Sequence, residues 1–287
     1  MDVTLRTARL VLRPPNATDA PAIVRLLNNF SVVGRLSRVP YPYTEADAHW
    51  WLGQNELDRP ATETNFAIDL AASPPILVGL CQGGWLSLLH AAIFPGKAAR
   101  LVVAGSPVDT SHPSAIADSA RAVSPQMVED LIAASGGLVA GSATLGAFRA
   151  ARSAETDACS ILQVAAPGPP DLMARFAAWD ERTLDLPGRY YADVLNWLFR
   201  DNRLAAGDFP VFGRPVSLAR VTAPIHVLAG ADDAVAPPPQ VFAALELVGT
   251  PAPLRARALA DCGHLALFMG ARTLAREWVE IAAWMRG

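Results

Sequence analysis

The sequence predicts an α/β protein: a parallel sheet with a helical cap over one end, preceded by a small α+β segment. Three observations carry this reading. The runs Ile76–Leu80, Leu101–Ala104 and Ile225–Ala229 are almost continuously apolar, as strands covered on both faces require. Helical patterns follow them at Trp85–Phe94, Pro238–Leu247 and Ala271–Met285. Between Ser106 and Ile225 lies a largely helical stretch, roughly ten times longer than the dozen or so residues a crossover needs.

The bulk numbers restrict the function classes. With 287 residues, of which 52% are hydrophobic, the chain can bury a substantial core. Its 24 basic and 27 acidic residues give a net charge of −3, which offers no surface for nucleic acid. Three cysteines form an odd set with no pairing pattern, as expected of a reducing compartment. The opening MDVTLRTARLVLRPP interleaves arginine with apolar residues and has no continuous apolar core, so a secretory signal is not expected. The longest uncharged apolar stretch, Ile76–Phe94, is broken by Gly79, Gln82, Gly83, Gly84, Ser87 and His90. It reads as a buried strand and helix and not as a membrane span. A soluble, cytoplasmic protein is expected.

In chain order, Ala8–Arg13 is largely alternating and should form a strand that Pro14-Pro15 ends. Asn16–Ala20 offers a helix start, with Ile23, Leu26 and Leu27 as its apolar stripe. Thr44 is placed to cap a second helix over EADAHWWL, and Asn65–Leu70 reads as a short strand. These elements make residues 1–70 an α+β segment, and Ala71–Pro75 is the joint. Residues 76–287 are the sheet domain, with Leu254–Leu259 as a fourth strand and the cap insertion at about 107–224. Gly136-Gly137 and Pro167–Pro170 should break the cap into separate helices.

The chemistry centres on Gly79-Leu80-Cys81-Gln82-Gly83, where an apolar run turns into a helix. A strand that turns sharply into a helix can present its corner residue as a nucleophile, and glycines two before and two after it relieve crowding. Gly79 and Gly83 hold those places around Cys81. A thiol there sits at a helix N-terminus, which favours the thiolate, and the Gln82 N–H would face a developing oxyanion. Such a nucleophile needs a carboxylate and then a histidine on later loops. Asp232 and Asp233 follow the third strand and compete for the acid role, with Asp233 preferred; His264 follows the fourth. His49, His90, His112 and His226 lack evident partners. Cys262 has no nearby CxxC arrangement, so no metal or other cofactor is expected. Trp179 and Trp197 are better suited to packing than to binding.

Two resemblances follow from these stretches. TARLVLRPPNATDAPAIVRLLNN, VPYPYTEADAHWWL and ETNFAIDL resemble the opening of GNAT acetyltransferases of the RimJ/RimL-like branch, without the pyrophosphate loop of that family. GLCQGGW with AAIFPGKAARLVVAGSPVD, then APIHVLAGADDAVAP and DCGHLALFMG, resembles the polyhydroxyalkanoate synthase and intracellular depolymerase branch of the α/β-hydrolase superfamily. That second resemblance implies Cys81 as nucleophile, Asp233 as acid and His264 as base. It implies acyl transfer from a 3-hydroxyacyl coenzyme A thioester or the polyester, with a polymer granule surface as partner. The segment that normally supplies further strands before the nucleophile is absent, so the strand at Ile76–Leu80 would be covered by the N-terminal segment or by a second copy in a homodimer. Polyester or ester hydrolysis, a catalytically impaired fusion and N-acetyltransfer are the alternatives.

Overall fold

The computed structural model describes residues 5–6, 10–29, 39–57, 67–70, 74–151 and 157–287, and it divides into two units, Met1–Pro75 and Ile76–Gly287. In the first, β1 (Leu5–Arg6), β2 (Leu10–Arg13) and β3 (Ala67–Leu70) form an antiparallel sheet in that order. Helix α1 (Ala20–Leu27) packs on α2 (Glu45–Leu57) around Ala20, Tyr43, Ala48 and Leu52. The 3-10 turn Ala17–Asp19 that leads into α1, and α2 itself, begin at reciprocal caps. The Asn16 side chain accepts from the Thr18 N–H while Asp19 accepts from the Asn16 N–H. Thr44 accepts from the Asp47 N–H while Asp47 accepts from that of Thr44. Each cap satisfies donors that a helix start leaves without intrahelical partners. The expected strand ends at Ala8–Arg9 and Asn65–Phe66 lie outside the described residues, as does Ala71–Ser73 of the joint.

The second unit is built on β4 (Ile76–Leu80), β5 (Arg100–Ala104), β6 (Ile225–Gly230) and β7 (Arg255–Ala260). All are parallel, in the order β7-β6-β5-β4. Side chains alternate between the faces of the sheet. Leu101, Val103, Ile225 and Val227 pack with Trp85 and Leu88 of α3 (Gln82–Ile93) and with Val241 and Ala244 of α11 (Pro238–Leu247). Val102, Ala104 and Leu228 face the other way, onto Leu267 and Ile281. The two central strands are thus buried on both sides, which explains their unbroken apolar sequence. Among the described residues β4 is the edge of this sheet.

Between β5 and β6 lie α4 (Ala115–Ala122), α5 (Pro125–Ala134), α6 (Gly141–Ala151), α7 (Ala158–Leu162), α8 (Pro170–Asp180), α9 (Gly188–Asp193) and α10 (Arg203–Ala206). A π-helical segment, Val194–Arg200, joins the last two. Gly136 and Gly137 both have positive φ in the turn after α5, as a glycine pair permits. The cap is tied to the loop after β5 by side-chain hydrogen bonds. The Thr110 hydroxyl donates to the Leu198 carbonyl at 2.6 Å, and the Asn202 amide donates to Asp109 at 2.7 Å while accepting from the Thr110 N–H.

The expected C-terminal helix is interrupted. It forms as α13 (Ala271–Ala275) and α14 (Glu277–Arg286), after the short α12 (Ala266–Met269). Arg276 leaves helical geometry, with φ −116° and ψ −79°. The bend lets the Trp278 indole donate to the Leu267 carbonyl at 2.7 Å and buries Ile281 against the sheet. No helix among the described residues is long and apolar enough to cross a membrane.

Candidate active site

Strand β4 runs into α3 through a single residue, Cys81, whose backbone has φ 50° and ψ −115°. A side chain there is strained by about 1–3 kcal/mol and is held only where its surroundings dictate it. Three contacts dictate it here. The Cys81 N–H donates to the Ala104 carbonyl at 2.9 Å, which extends the β4–β5 pairing through the corner. The Gly84 N–H donates back to the Cys81 carbonyl at 3.0 Å. The helix also returns directly over the strand, so that a Cβ on Gly79 would lie 2.3 Å from the Gly83 carbonyl oxygen.

Gly83, expected to relieve crowding, does so only through its backbone: its carbonyl lies against Gly79, while a Cβ on Gly83 itself would meet nothing within 4 Å among the described residues. A second close approach is at Gly84, where a Cβ would lie 2.5 Å from that of Ser106 and 3.0 Å from a Val103 methyl.

The carboxylate and the imidazole come from the ends of β6 and β7, and the structure brings both to Cys81. Asp233 is buried, and one of its oxygens accepts from the Val235 and Ala236 N–H groups at 2.9 and 2.8 Å. The other lies 2.8 Å from His264 Nδ1. Asp232 is exposed and has no part in this arrangement. His264 is almost fully buried, and the Cys81 sulfur acts on its ring electrostatically. Burial works hardest against a charged ring. The hydrogen bond with Asp233, the Asp233 charge and the interaction with Cys81 outweigh it and push the His264 pKa up to about 10. Phe148 of the cap and Phe268 stand edge-on to the ring, at centroid distances of 5.7 and 5.2 Å. Gly105, with φ 54°, makes room for it: a Cβ there would lie 3.3 Å from His264 Cε1.

Gln82 is the first residue of α3, so its N–H has no intrahelical acceptor and is available beside the sulfur. Its side-chain oxygen accepts a hydrogen bond from the Tyr190 hydroxyl of α9. Cys81, Gln82 and Trp85 form one wall of a cavity of about 220 Å³, closed by cap residues from α4, α6, α9 and the π-helical segment. Among the described residues no charged side chain lines it. Trp197 packs on Phe209 and Trp179 is exposed; neither belongs to this lining. Cys262 is buried against the Thr273 hydroxyl, and no group of three potential metal ligands occurs among the described residues.

Of the groups at the site, the sequence did not single out Gly84, Gly105, Phe148, Phe268 or Tyr190. The paired glycines of GLCQGGW and the glycine after LVVA in LVVAGSP were the available signals for the first two. The aromatics come from the cap and from a late helix, and spacing does not reveal them.

A family model described as the alpha/beta hydrolase fold matches residues 69–271, well over half the chain. The chain belongs to this family. Among curated proteins, this α/β hydrolase is similar to the poly(3-hydroxyalkanoate) polymerase subunit PhaC of three organisms. With that of Synechocystis sp. it shares 29% identity over 178 residues, 56% of this chain and 45% of the other. With that of Allochromatium vinosum it shares 24% over 214 residues, 73% and 59% of the two chains. With that of Haloarcula marismortui it shares 23% over 216 residues, 72% and 44%. The chain therefore spans about half the length of these relatives. Among solved structures, a monoacylglycerol lipase of Paleococcus ferrophilus matches with TM-score 0.45 and 17% identity, over 74% of this chain and 68% of that one.

Two outcomes are expected of this geometry. Gly79→Ala should destabilise the protein by about 3 kcal/mol or more and Gly84→Ala by about 1–3 kcal/mol, whereas Gly83→Ala should be neutral or stabilising by up to ~1 kcal/mol; urea unfolding of the three variants distinguishes them. For His264, a folded pKa of about 10 exceeds the unfolded value near 6.5. Its protonated form thus adds stability that is full below pH ~6.5 and is lost as pH rises through about 10. The stability gap between wild type and His264→Gln should narrow steadily over that interval, and a gap constant with pH would contradict the assignment.

Proposed function

We propose that this protein transfers acyl groups through Cys81, in the manner of a polyhydroxyalkanoate synthase, from 3-hydroxyacyl coenzyme A thioesters. The observation that carries the reading is the strained corner at Cys81, with His264 close enough for the sulfur to raise its pKa and Asp233 hydrogen-bonded behind the ring. Similarity to three polymerase subunits supports the substrate class.

The thiol proton moves to His264 Nε2, and the ring, steadied by Asp233 at Nδ1, holds it. A protonated ring beside the sulfur stabilises the thiolate. The thiolate attacks the thioester carbonyl, and the resulting oxyanion takes the Gln82 N–H as donor. Collapse breaks the bond to the coenzyme A sulfur, which leaves with the proton from His264. The exchange joins one thioester to another and is close to even in energy, so the binding of the acyl chain can drive it.

In the second half, His264 takes the proton of an attacking hydroxyl, the new ester forms, and Cys81 departs and regains its proton. A hydroxyl from another hydroxyacyl unit yields polymer, and water yields hydrolysis. The uncharged, mostly apolar cavity beside Cys81 suits a growing chain better than bulk water, which favours the first fate. The granule surface and a dimer are further partners this activity would use.

Iodoacetamide labelling of Cys81 between pH 6 and 9 tests the activated thiol, with His264→Ala as the control and circular dichroism to establish that the variant is folded. Labelling of wild type at neutral pH should exceed that of the variant by about 10²-fold, and single-turnover release of coenzyme A from 3-hydroxybutyryl-CoA should follow the same order. Equal labelling of the two proteins would sink the proposal.

A further inference from the structure

We infer that Gln82 and Tyr190 together select for an acyl chain that carries an oxygen close to the reacting carbonyl. This rests on the acyl-transfer reading above and adds the residues that discriminate within it. The cavity wall is apolar except at a few points, and among the described residues no charged side chain reaches it. Away from the sulfur it is built from Ile116, Val123, Leu195, Leu198 and Phe199, which can recognise hydrocarbon and nothing else, while Trp85, on the wall beside Cys81, has an indole N–H without a partner among the described residues. Ser119 and Thr144 are hydroxyls of the cap helices. Gln82 alone among the polar lining residues adjoins Cys81 in sequence, so its side chain projects from the residue next to the reacting sulfur.

The hydrogen-bond inventory of that side chain gives the selectivity. A glutamine amide has one acceptor oxygen and two N–H donors. The Tyr190 hydroxyl donates to the oxygen, which fixes the amide and turns its remaining capacity into donors at the reacting end of the cavity. No hydrogen bond from the Gln82 amide nitrogen occurs among the described residues. A 3-hydroxyacyl chain bears its oxygen two carbons from the carbonyl, and that oxygen accepts. It accepts equally as a free hydroxyl in the monomer and as an ester oxygen in a growing chain, so one residue serves both. A plain acyl chain brings only a methylene to the same place and leaves the donors desolvated without a partner, which is where discrimination between an oxygenated and a bare substrate arises. Tyr190 is the positioning residue. It holds the amide oxygen from the cap side, and without its hydroxyl the amide is free to rotate.

The test compares single-turnover coenzyme A release from 3-hydroxybutyryl-CoA and from butyryl-CoA by wild type, Gln82→Met and Tyr190→Phe. Methionine keeps the length of the side chain and leaves the Gln82 backbone N–H in place, and phenylalanine removes one oxygen atom. Wild type should prefer the hydroxylated thioester by about tenfold, the worth of one or two hydrogen bonds. Both variants should reduce that ratio to within about twofold of unity, mainly by slowing the hydroxylated substrate, with thermal unfolding unchanged. A purely structural role would slow both thioesters alike and keep the ratio, and that result overturns the inference. So does a wild-type ratio near one. If wild type releases coenzyme A from neither thioester, the acyl-transfer reading itself fails and this inference falls with it.

Discussion

The backbone of one residue governs the rest of the site. Cys81 occupies a conformation that no side chain adopts without cost, and the surrounding sheet exists in the form that holds it there. The β4–β5 pairing continues through the Cys81 N–H to the Ala104 carbonyl, so the corner cannot relax without breaking the sheet's last hydrogen bond. The helix beyond can turn back so sharply because Gly79 leaves to the Gly83 carbonyl the space a Cβ would need, and Gly84 does the same for Ser106. The strain of a corner is thereby spread over two strands and a helix. The sulfur is left at the N-terminus of a twelve-residue helix, facing an apolar cavity.

The second constraint is electrostatic. His264 and Asp233 are both buried, and an unpaired charge in either would be expelled. The structure meets this by giving every oxygen of Asp233 a donor, two backbone N–H groups on one side and the imidazole on the other. Those N–H groups belong to Val235 and Ala236, immediately beyond the carboxylate. The chain after β6 therefore turns to serve Asp233 before it enters α11. The rings of Phe148 and Phe268 stand edge-on to the imidazole, and the interactions with Asp233 and Cys81 prevail over the burial that opposes the charged ring.

What the sequence disclosed follows from which interactions are local. The central strands β5 and β6 were legible because burial on both faces leaves an unbroken apolar run, and the observed ends of all four sheet strands differ from the expected ones by a residue at most. The capped starts at Asn16 and Thr44 were legible because a capping side chain acts within its own turn. Cys81, Asp233 and His264 were legible because each stands just after a strand. The rest depended on contacts between distant segments. The different roles of Gly83 and Gly84 are set by Ser106 and Val103, on the neighbouring strand and the loop after it. The break at Arg276 is set by the Leu267 carbonyl that Trp278 reaches, and Tyr190 meets Gln82 across 108 positions of chain.

The order of the sheet explains how a site can be assembled in a chain that spans about half the length of its curated relatives. The sulfur, carboxylate and imidazole sit beyond β4, β6 and β7, and β5 lies between the first two strands and supplies the hydrogen bond that fixes the corner. Everything that sets the distances among the three groups thus lies on one side of β4 and within one unit. The groups of the proposed relay, Cys81, Asp233 and His264, therefore all follow strands of this one sheet, and the donor proposed for the oxyanion, the Gln82 N–H, opens the helix after β4.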